Sequence, residues 1–440
     1  MSAQPYFSER IALMIERDDP LALIRWRQQL RHALERQNVK HVHSLIQLLK
    51  QEAVVKKYGK RGMAHVRMAE GALQSTGGNA REARQKWQQA DQLFKQTFDY
   101  EGHVLLLLSL GGHYDEHQQY AQAIETYQYA RQLCLQHDLR HSLANVQTNL
   151  ASLYQTQGNW EEAVELLQQS LNIFLSLNDI FSAGVTLGTM GELLIDVGAY
   201  EEAIECYETS FDIFKEANHV GSQISVLNNL GRIYELQERP LIAIEQFSKA
   251  LQLANETENI RRQATALDNL GGAYRSAEQY EQALVAHEQG LALYKQLGDQ
   301  HGCTISLHHL GQLYLAQGAF TKSFASISEA LALKRQIGDE RGLMLASLTM
   351  TKLQIKMERW DGAILFATES AALAQSLSLD EQFADAQLLL GLINQQLKRP
   401  QIAQAHWEQA MEIVKDHPAE ARIKQAIQQL TQENGTSPTT

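Results

Sequence analysis

The sequence predicts an all-α fold assembled from repeated helical hairpins, and three observations carry that reading. Only six of the 440 residues are proline, at positions 5, 20, 240, 400, 418 and 438, so nothing between residues 21 and 239 forbids helix. Small residues recur at forty-residue intervals along most of the chain. Between them, apolar residues fall at three- and four-residue spacing, as in Leu227, Leu230, Ile233 and Tyr234 followed by Ile244, Phe247 and Leu251, which is the spacing of amphipathic helices. With 44% hydrophobic and 20% charged residues, the composition is that of a globular chain, not a disordered one.

The elements follow in order. Segments 6–17, 21–37 and 40–58 read as three helices, with Asp19 and Pro20 opening the second and Asn38 closing it. They lack the small-residue frame, and region 1–60 is expected to cap the apolar end of the repeat array, with a small effector bundle as the alternative. This region is basic. Residues 21–70 hold eleven Lys or Arg against three acids, whereas residues 101–440 sum to −19 and the whole chain to −12. The basic residues either coat solvated faces or meet an acidic partner or an intramolecular contact. The overall negative charge opposes non-specific binding to nucleic acid.

The repeats occupy 61–417. A small residue stands at Gly111, Ala151, Gly191, Gly231, Gly271, Gly311, Thr351 and Gly391, preceded each time by Leu or Met. Twelve residues on comes a second small residue, from Ala123 through Ser323 to Ala403, and at plus twenty-two Leu or Ile throughout. A weaker ninth copy precedes these, with Gly71, Ala83, Ala90 and Leu93 in frame but Glu70 in place of Leu or Met. Paired small residues let two helices cross closely. Aromatic residues at plus three and plus nine, such as Tyr234 and Trp160, are expected to fill the seam between hairpins.

Gly158-Asn159, Gly198-Ala199, Arg239-Pro240 and Gly318-Ala319 mark the turn inside a hairpin, with Pro240 and Pro400 at the first helical position. Gly298-Asp299 and Gly338-Asp339 read as a glycine stop followed by a cap. After the repeats, Pro418 opens an amphipathic helix over 418–433 that should cover the last pair, and 434–440 reads as a disordered tail.

Catalytic chemistry is not expected. No G-x-S-x-G, Walker loop or strand-borne G-x-G-x-x-G occurs. Cys134, Cys206 and Cys303 fall at three different offsets and read as inert core thiols. His113, Glu116 and His117 spell the H-x-x-E-H of an inverted zinc protease. The match arises in one copy only, with Tyr114 on the repeat's aromatic position and its acids on first-helix surface positions, so neither metal nor cofactor is expected. No apolar run is long enough to span a bilayer, and the N-terminus lacks the order of a secretory signal, which together predict a cytoplasmic location.

Leu230, Gly231 and Tyr234 of the first helix, the turn ending in Tyr or Trp, and the alanine twelve residues on resemble the tetratricopeptide repeat over residues 62–415. The period of forty, not thirty-four, and the lack of a closing proline look like the longer-helix variety of kinesin light chains, Pins-type adaptors and bacterial Rap-type regulators. The resemblance implies a right-handed α-solenoid of eight to nine helix-turn-helix units with helical caps, whose first helices line a groove for a peptide or partner helix. Carried onto this sequence, the groove residues are Thr148, Asn149, Asn228, Asn229, Arg232, Asp268, Asn269, Arg275, His308 and Gln312, with Ser152, Glu192, Asp196, Glu235 and His309 beside them. Asn149, Asn229 and Asn269 match the family's backbone-gripping asparagine, and Arg232 and Arg275 would take carboxylates. Toward the C-terminus the same positions turn apolar at Leu315, Leu348, Ile355 and Leu388. The implied function is a non-catalytic scaffold for a protein or peptide, with no membrane partner. The alternatives are a peptide-responsive Rap-like regulator whose N-terminal bundle is the effector, and a regulatory subunit of an enzyme assembly.

Overall fold

The computed structural model describes residues 11–12, 14–15, 22–35, 39–415, 417 and 419–433. Most of the expected helix over 6–17, the boundaries at Asp19, Pro20 and Asn38, Pro418 and the 434–440 tail lie outside them. Twenty-one helices and no strand occur among the described residues. Helices α1 (Ala22–Glu35) and α2 (Val39–Lys50) come first. Nine hairpins follow: α3 (Glu52–Thr76) with α4 (Ala80–Thr97), α5 (Tyr100–Glu116) with α6 (Tyr120–Gln136), α7 (Arg140–Thr156) with α8 (Trp160–Ser176), α9 (Ile180–Asp196) with α10 (Tyr200–Glu216), α11 (Val220–Leu236) with α12 (Pro240–Glu256), α13 (Ile260–Ser276) with α14 (Tyr280–Leu297), α15 (Gln300–Ala316) with α16 (Phe320–Ile337), α17 (Glu340–Lys356) with α18 (Trp360–Ser376), and α19 (Asp380–Gln396) with α20 (Pro400–Ile413). The last helix, α21 (Glu420–Glu433), packs on both α19 and α20 through Ile423, Ile427 and Leu430. The chain divides into two compact units, Met1–Ile213 and Phe214–Thr440.

The expected helix over 40–58 is broken. Gln51 is extended (φ −61°, ψ 139°), and the chain restarts as α3, which carries a left-handed Gly59 (φ 50°) before it enters the ninth repeat.

Each hairpin turn and each link between hairpins uses one backbone device. The residue two before the next helix start has positive φ at every twentieth position from Gly78 to Lys398. At Gly298 and Gly338 the expected glycine stop is present, and Asp299 and Asp339 accept from the amides of Gly302 and Gly342. Elsewhere the same left-handed geometry is imposed on Gln118, Asp138, Glu258, Glu278 and Lys398, among others, at φ of 51–59°. An L side chain there costs about 1–2 kcal/mol in steric strain, which glycine avoids at some entropic cost. Glu278→Gly is therefore expected to stabilise the chain by about 0.5–1 kcal/mol in denaturant unfolding; unchanged or lowered stability would show that the turn is not strained.

The paired small residues do cross. Ser323 donates to the Gly311 carbonyl at 2.7 Å, and the alanines at plus twelve are fully buried. The bulk that fills the hairpin, however, sits at plus sixteen. A Cβ on Gly191 would lie 2.7 Å from the Tyr207 ring, and one on Gly231 would lie 2.5 Å from Phe247. Trp87, Tyr127, His287, Ile327 and Trp407 press on Gly71, Gly111, Gly271, Gly311 and Gly391 in the same way. The plus-three tyrosines are only half-buried and pack at the edge, and Trp160 is exposed. Between α12, α13 and α14 the seam is left open as a hollow of about 410 Å³ lined by Leu251, Leu270, Tyr274 and Val285.

Much of the N-terminal positive charge is satisfied internally. Arg27 on α1 is buried, and its guanidinium donates to Asp99 at 2.8 Å and to Glu101 at 2.8 Å. Arg61 donates to the same Asp99 carboxylate at 2.8 Å, and His65 Nε2 lies 3.0 Å from it. Burial alone would raise the pKa of Asp99, but the hydrogen bonds from His65 and Arg61 and the charge of Arg27 hold it far below the usual carboxylate range. Burial pushes His65 down to about 4, so its ring is neutral at pH 7. Glu70, the residue that broke the repeat frame, meets Lys50 at 2.6 Å, Arg67 at 2.7 Å and Lys86 at 3.1 Å. Those three hydrogen bonds overcome its partial burial and bring its pKa to about 2. The carboxylate thus replaces a core Leu because α2 presents a lysine at that spot.

Candidate interaction face

Within each unit the first helix of a hairpin touches the first helix of the next: α3 with α5, α5 with α7 and α7 with α9 in one unit, and α11, α13, α15, α17 and α19 in succession in the other. Their solvent side is polar, and hydrogen bonds tie neighbours together. In the first unit Gln155 Nε2 donates to Asp196 Oδ2 at 2.6 Å. In the second, Asn269 Nδ2 donates to Asn228 Oδ1 at 3.2 Å, and His308 Nε2 lies 2.8 Å from Thr349 Oγ1. Gln312 Nε2 lies 3.2 Å from the same His308 nitrogen.

Helix geometry decides which predicted residues reach the surface. Two before and one after the small residue, Asn149, Glu192 and Arg232 are exposed and Asn229 half-buried, whereas Thr349, two before Thr351, is buried and His309, two before Gly311, turns inward. Three before it, Asn228 and His308 bond to the next first helix, whereas Thr148 and Asp268 turn toward the second helix of their own hairpin. Thr148 meets Ser170 Oγ at 2.9 Å, and Ser152 donates to the Thr148 carbonyl. Asp268 goes further and is only 3% exposed. Its Oδ1 lies 2.9 Å from His287 Nδ1, and its Oδ2 accepts from Ser306 at 2.8 Å. His309 faces His287, with ring centroids 5.1 Å apart. Leu348 and Leu388, at the same offset as Asp268, are also buried.

In the second unit, α11 contributes Arg232 and Glu235 to the face and α13 contributes Arg275. Glu235 reaches over to Gly272 on α13, where a Cβ would sit 3.6 Å from its Oε1. Burial raises the Glu235 pKa to about 7 against the opposing charge of Arg275, so this carboxyl titrates near neutrality. Arg275 is half-buried, with its Nε unmatched. Burial, reinforced by His309, Lys334 and Arg275, lowers His308 to about 3. Burial likewise lowers His309 to about 4, with Asp268 opposing. Both rings are neutral at physiological pH. Cys134 and Cys303 are buried and Cys206 half-buried, and burial raises all three thiols, Cys134 to about 12, which agrees with inert core cysteines.

Sequence comparison identifies the hairpins between residues 102 and 296. Residues 102–176, 142–216, 182–256 and 222–296 each match the pattern described as tetratricopeptide repeat, in windows that advance by the forty-residue period. Residues 102–296 are tetratricopeptide repeats. Solved structures extend the likeness beyond the matched windows. The Signal Transduction ATPase with Numerous Domains protein with a tetratricopeptide repeat sensor from Pyrococcus horikoshii aligns at 14% identity and a TM-score of 0.56, covering 86% of this chain and 56% of that one. Aspartyl phosphate phosphatase F from Bacillus subtilis aligns at 14% identity and 0.53, covering 80% and 94%. The apo form of RapI aligns at 10% identity and 0.51, covering 65% and 99%. At these identities the likeness is one of fold, an α-solenoid of tetratricopeptide hairpins. Comparison with curated proteins returns no match. No described helix is long and apolar enough to cross a membrane.

Proposed function

We propose that this tetratricopeptide-repeat chain is a non-catalytic scaffold that holds a peptide or helical segment of another protein against its first helices. One observation carries the reading: polar side chains on successive first helices bond to one another from helix to helix, Gln155 to Asp196, Asn269 to Asn228 and His308 to Thr349. A prearranged row of this kind offers donors and acceptors at a fixed repeat without first having to order mobile side chains. Asn229, Arg232, Asn269 and Arg275 are its central contacts. Asn149 plays the same part in the first unit, and His308 and Gln312 extend the row toward α17.

The test compares wild-type chain with the Asn229→Ala/Arg232→Ala variant as baits in the source lysate. Polypeptides retained by wild type should be depleted about tenfold on the variant, equivalent to a loss of more than 1 kcal/mol, while the melting temperature stays put. Equal capture by both would remove this face from the site. The regulator reading draws support from the Arg27–Asp99 contact, which couples α1 to the start of α5 and gives an N-terminal bundle something to be released from. It requires hydrogen exchange in α1 to change when a partner binds.

A further inference from the structure

At the C-terminal end of α5, His113, Glu116 and His117 each offer a ligand atom within 4.8 Å of the other two. The imidazoles are one helical turn apart, with ring centroids separated by 4.2 Å. Both are oriented from behind. His117 Nδ1 lies 2.8 Å from the His113 carbonyl oxygen, which can only accept, so the proton sits on Nδ1 and Nε2 keeps its lone pair. His113 Nδ1 lies 2.7 Å from Ser75 Oγ on α3, and its ring stands edge-on to Trp87 at 5.1 Å. An imidazole whose rear nitrogen is tied to an oxygen presents the other nitrogen in a fixed direction, the arrangement that supports metal-binding histidines.

The electrostatics agree. Glu116 supplies a negative charge, and the C-terminal end of the helix dipole adds a partial one. Arg84 on α4 is the opposing cation. His113 is buried, whereas Glu116 and His117 are exposed, so an ion could enter from solvent. The second cluster, Asp268, His287 and His309, is less suited: both Asp268 oxygens are already engaged by His287 and Ser306.

We propose that His113, Glu116 and His117 bind one divalent ion of the zinc class through two imidazole nitrogens and a carboxylate. Three protein ligands leave a coordination position for water or for a side chain donated by a bound protein. The site would thereby give the scaffold a metal-dependent contact on its first unit.

The test is calorimetric titration of untagged, metal-stripped full-length chain with zinc, repeated with cobalt to read the absorption of its ligand field. Wild type should take up one equivalent saturably, with a rise in melting temperature. His117→Ala and Glu116→Gln alter exposed side chains, leave Ser75, His113 and Trp87 in place, and should each weaken binding at least about tenfold. Absence of saturable uptake by the wild type would overturn the proposal, and so would undiminished uptake by His117→Ala, which would move the ion elsewhere.

Discussion

Replacing Asp99 with alanine is expected to loosen the N-terminal helices from the repeats and to cost about 3 kcal/mol, because it removes the buried carboxylate that Arg27 shares with Arg61 and His65 and leaves Arg27 only the half-exposed Glu101. Arg27 and Asp99 side chains are 6% and 2% exposed, so solvent cannot substitute for the lost partner. The same carboxylate accepts from the Gly102 amide and caps α5, so the variant also frays that helix start. Glu101→Gln, at an accessible side chain, should cost less than about 1 kcal/mol. Hydrogen exchange within α1 is the decisive measurement. If α1 is as protected in Asp99→Ala as in Glu101→Gln, apolar contacts such as the burial of Trp26 hold it, and the ion pairs do not. The pH dependence has a definite sign. The Asp99 pKa is depressed on folding, so its contribution is complete above the ordinary carboxylate range and is lost as pH falls below it.

A single methyl group on Gly231 is expected to overpack its hairpin by about 1–3 kcal/mol, since it would press directly on Phe247. The chain itself contains the compensating solutions. Where the small residue is Ala151, the residue sixteen on is Leu167, and where it grows to Thr351 the partner shrinks to Ala367; all four are fully buried. Gly231→Ala/Phe247→Leu should therefore recover most of the stability lost by Gly231→Ala, a coupling that denaturant unfolding of the two single variants and the double can measure. Additive losses would mean that the two positions do not share one space.

These two cases show where sequence legibility stopped. The forty-residue frame located every hairpin, because small residues and three-four apolar spacing are chemically uniform from copy to copy. The plus-sixteen position escaped notice because it conserves complementary size, not type: Trp87, Tyr127, Leu167, Tyr207, Phe247, His287, Ile327, Ala367 and Trp407 share no chemical class. The left-handed links were legible only where glycine announces them, although Glu258 and Lys398 adopt the same backbone. On the interaction face, offsets from the small residue identified a polar row, and Asn149, Arg232 and Asn229 stand on it. Asp268 differs because its carboxylate is turned inward, between His287 of the second helix and Ser306 of the following hairpin. No repeat offset announces that: it depends on histidine at plus sixteen in that copy and on serine in the following hairpin.

The evenly spaced left-handed links bear on how such a chain can change its length. Every joint from α3 to α20 carries a positive φ at the same place, so a segment cut at one of these joints and rejoined at the equivalent joint of another copy meets a matching end. Duplication or loss of a whole hairpin then alters only the packing of two neighbours, and genetic recombination can lengthen or shorten the array without inventing a new connection.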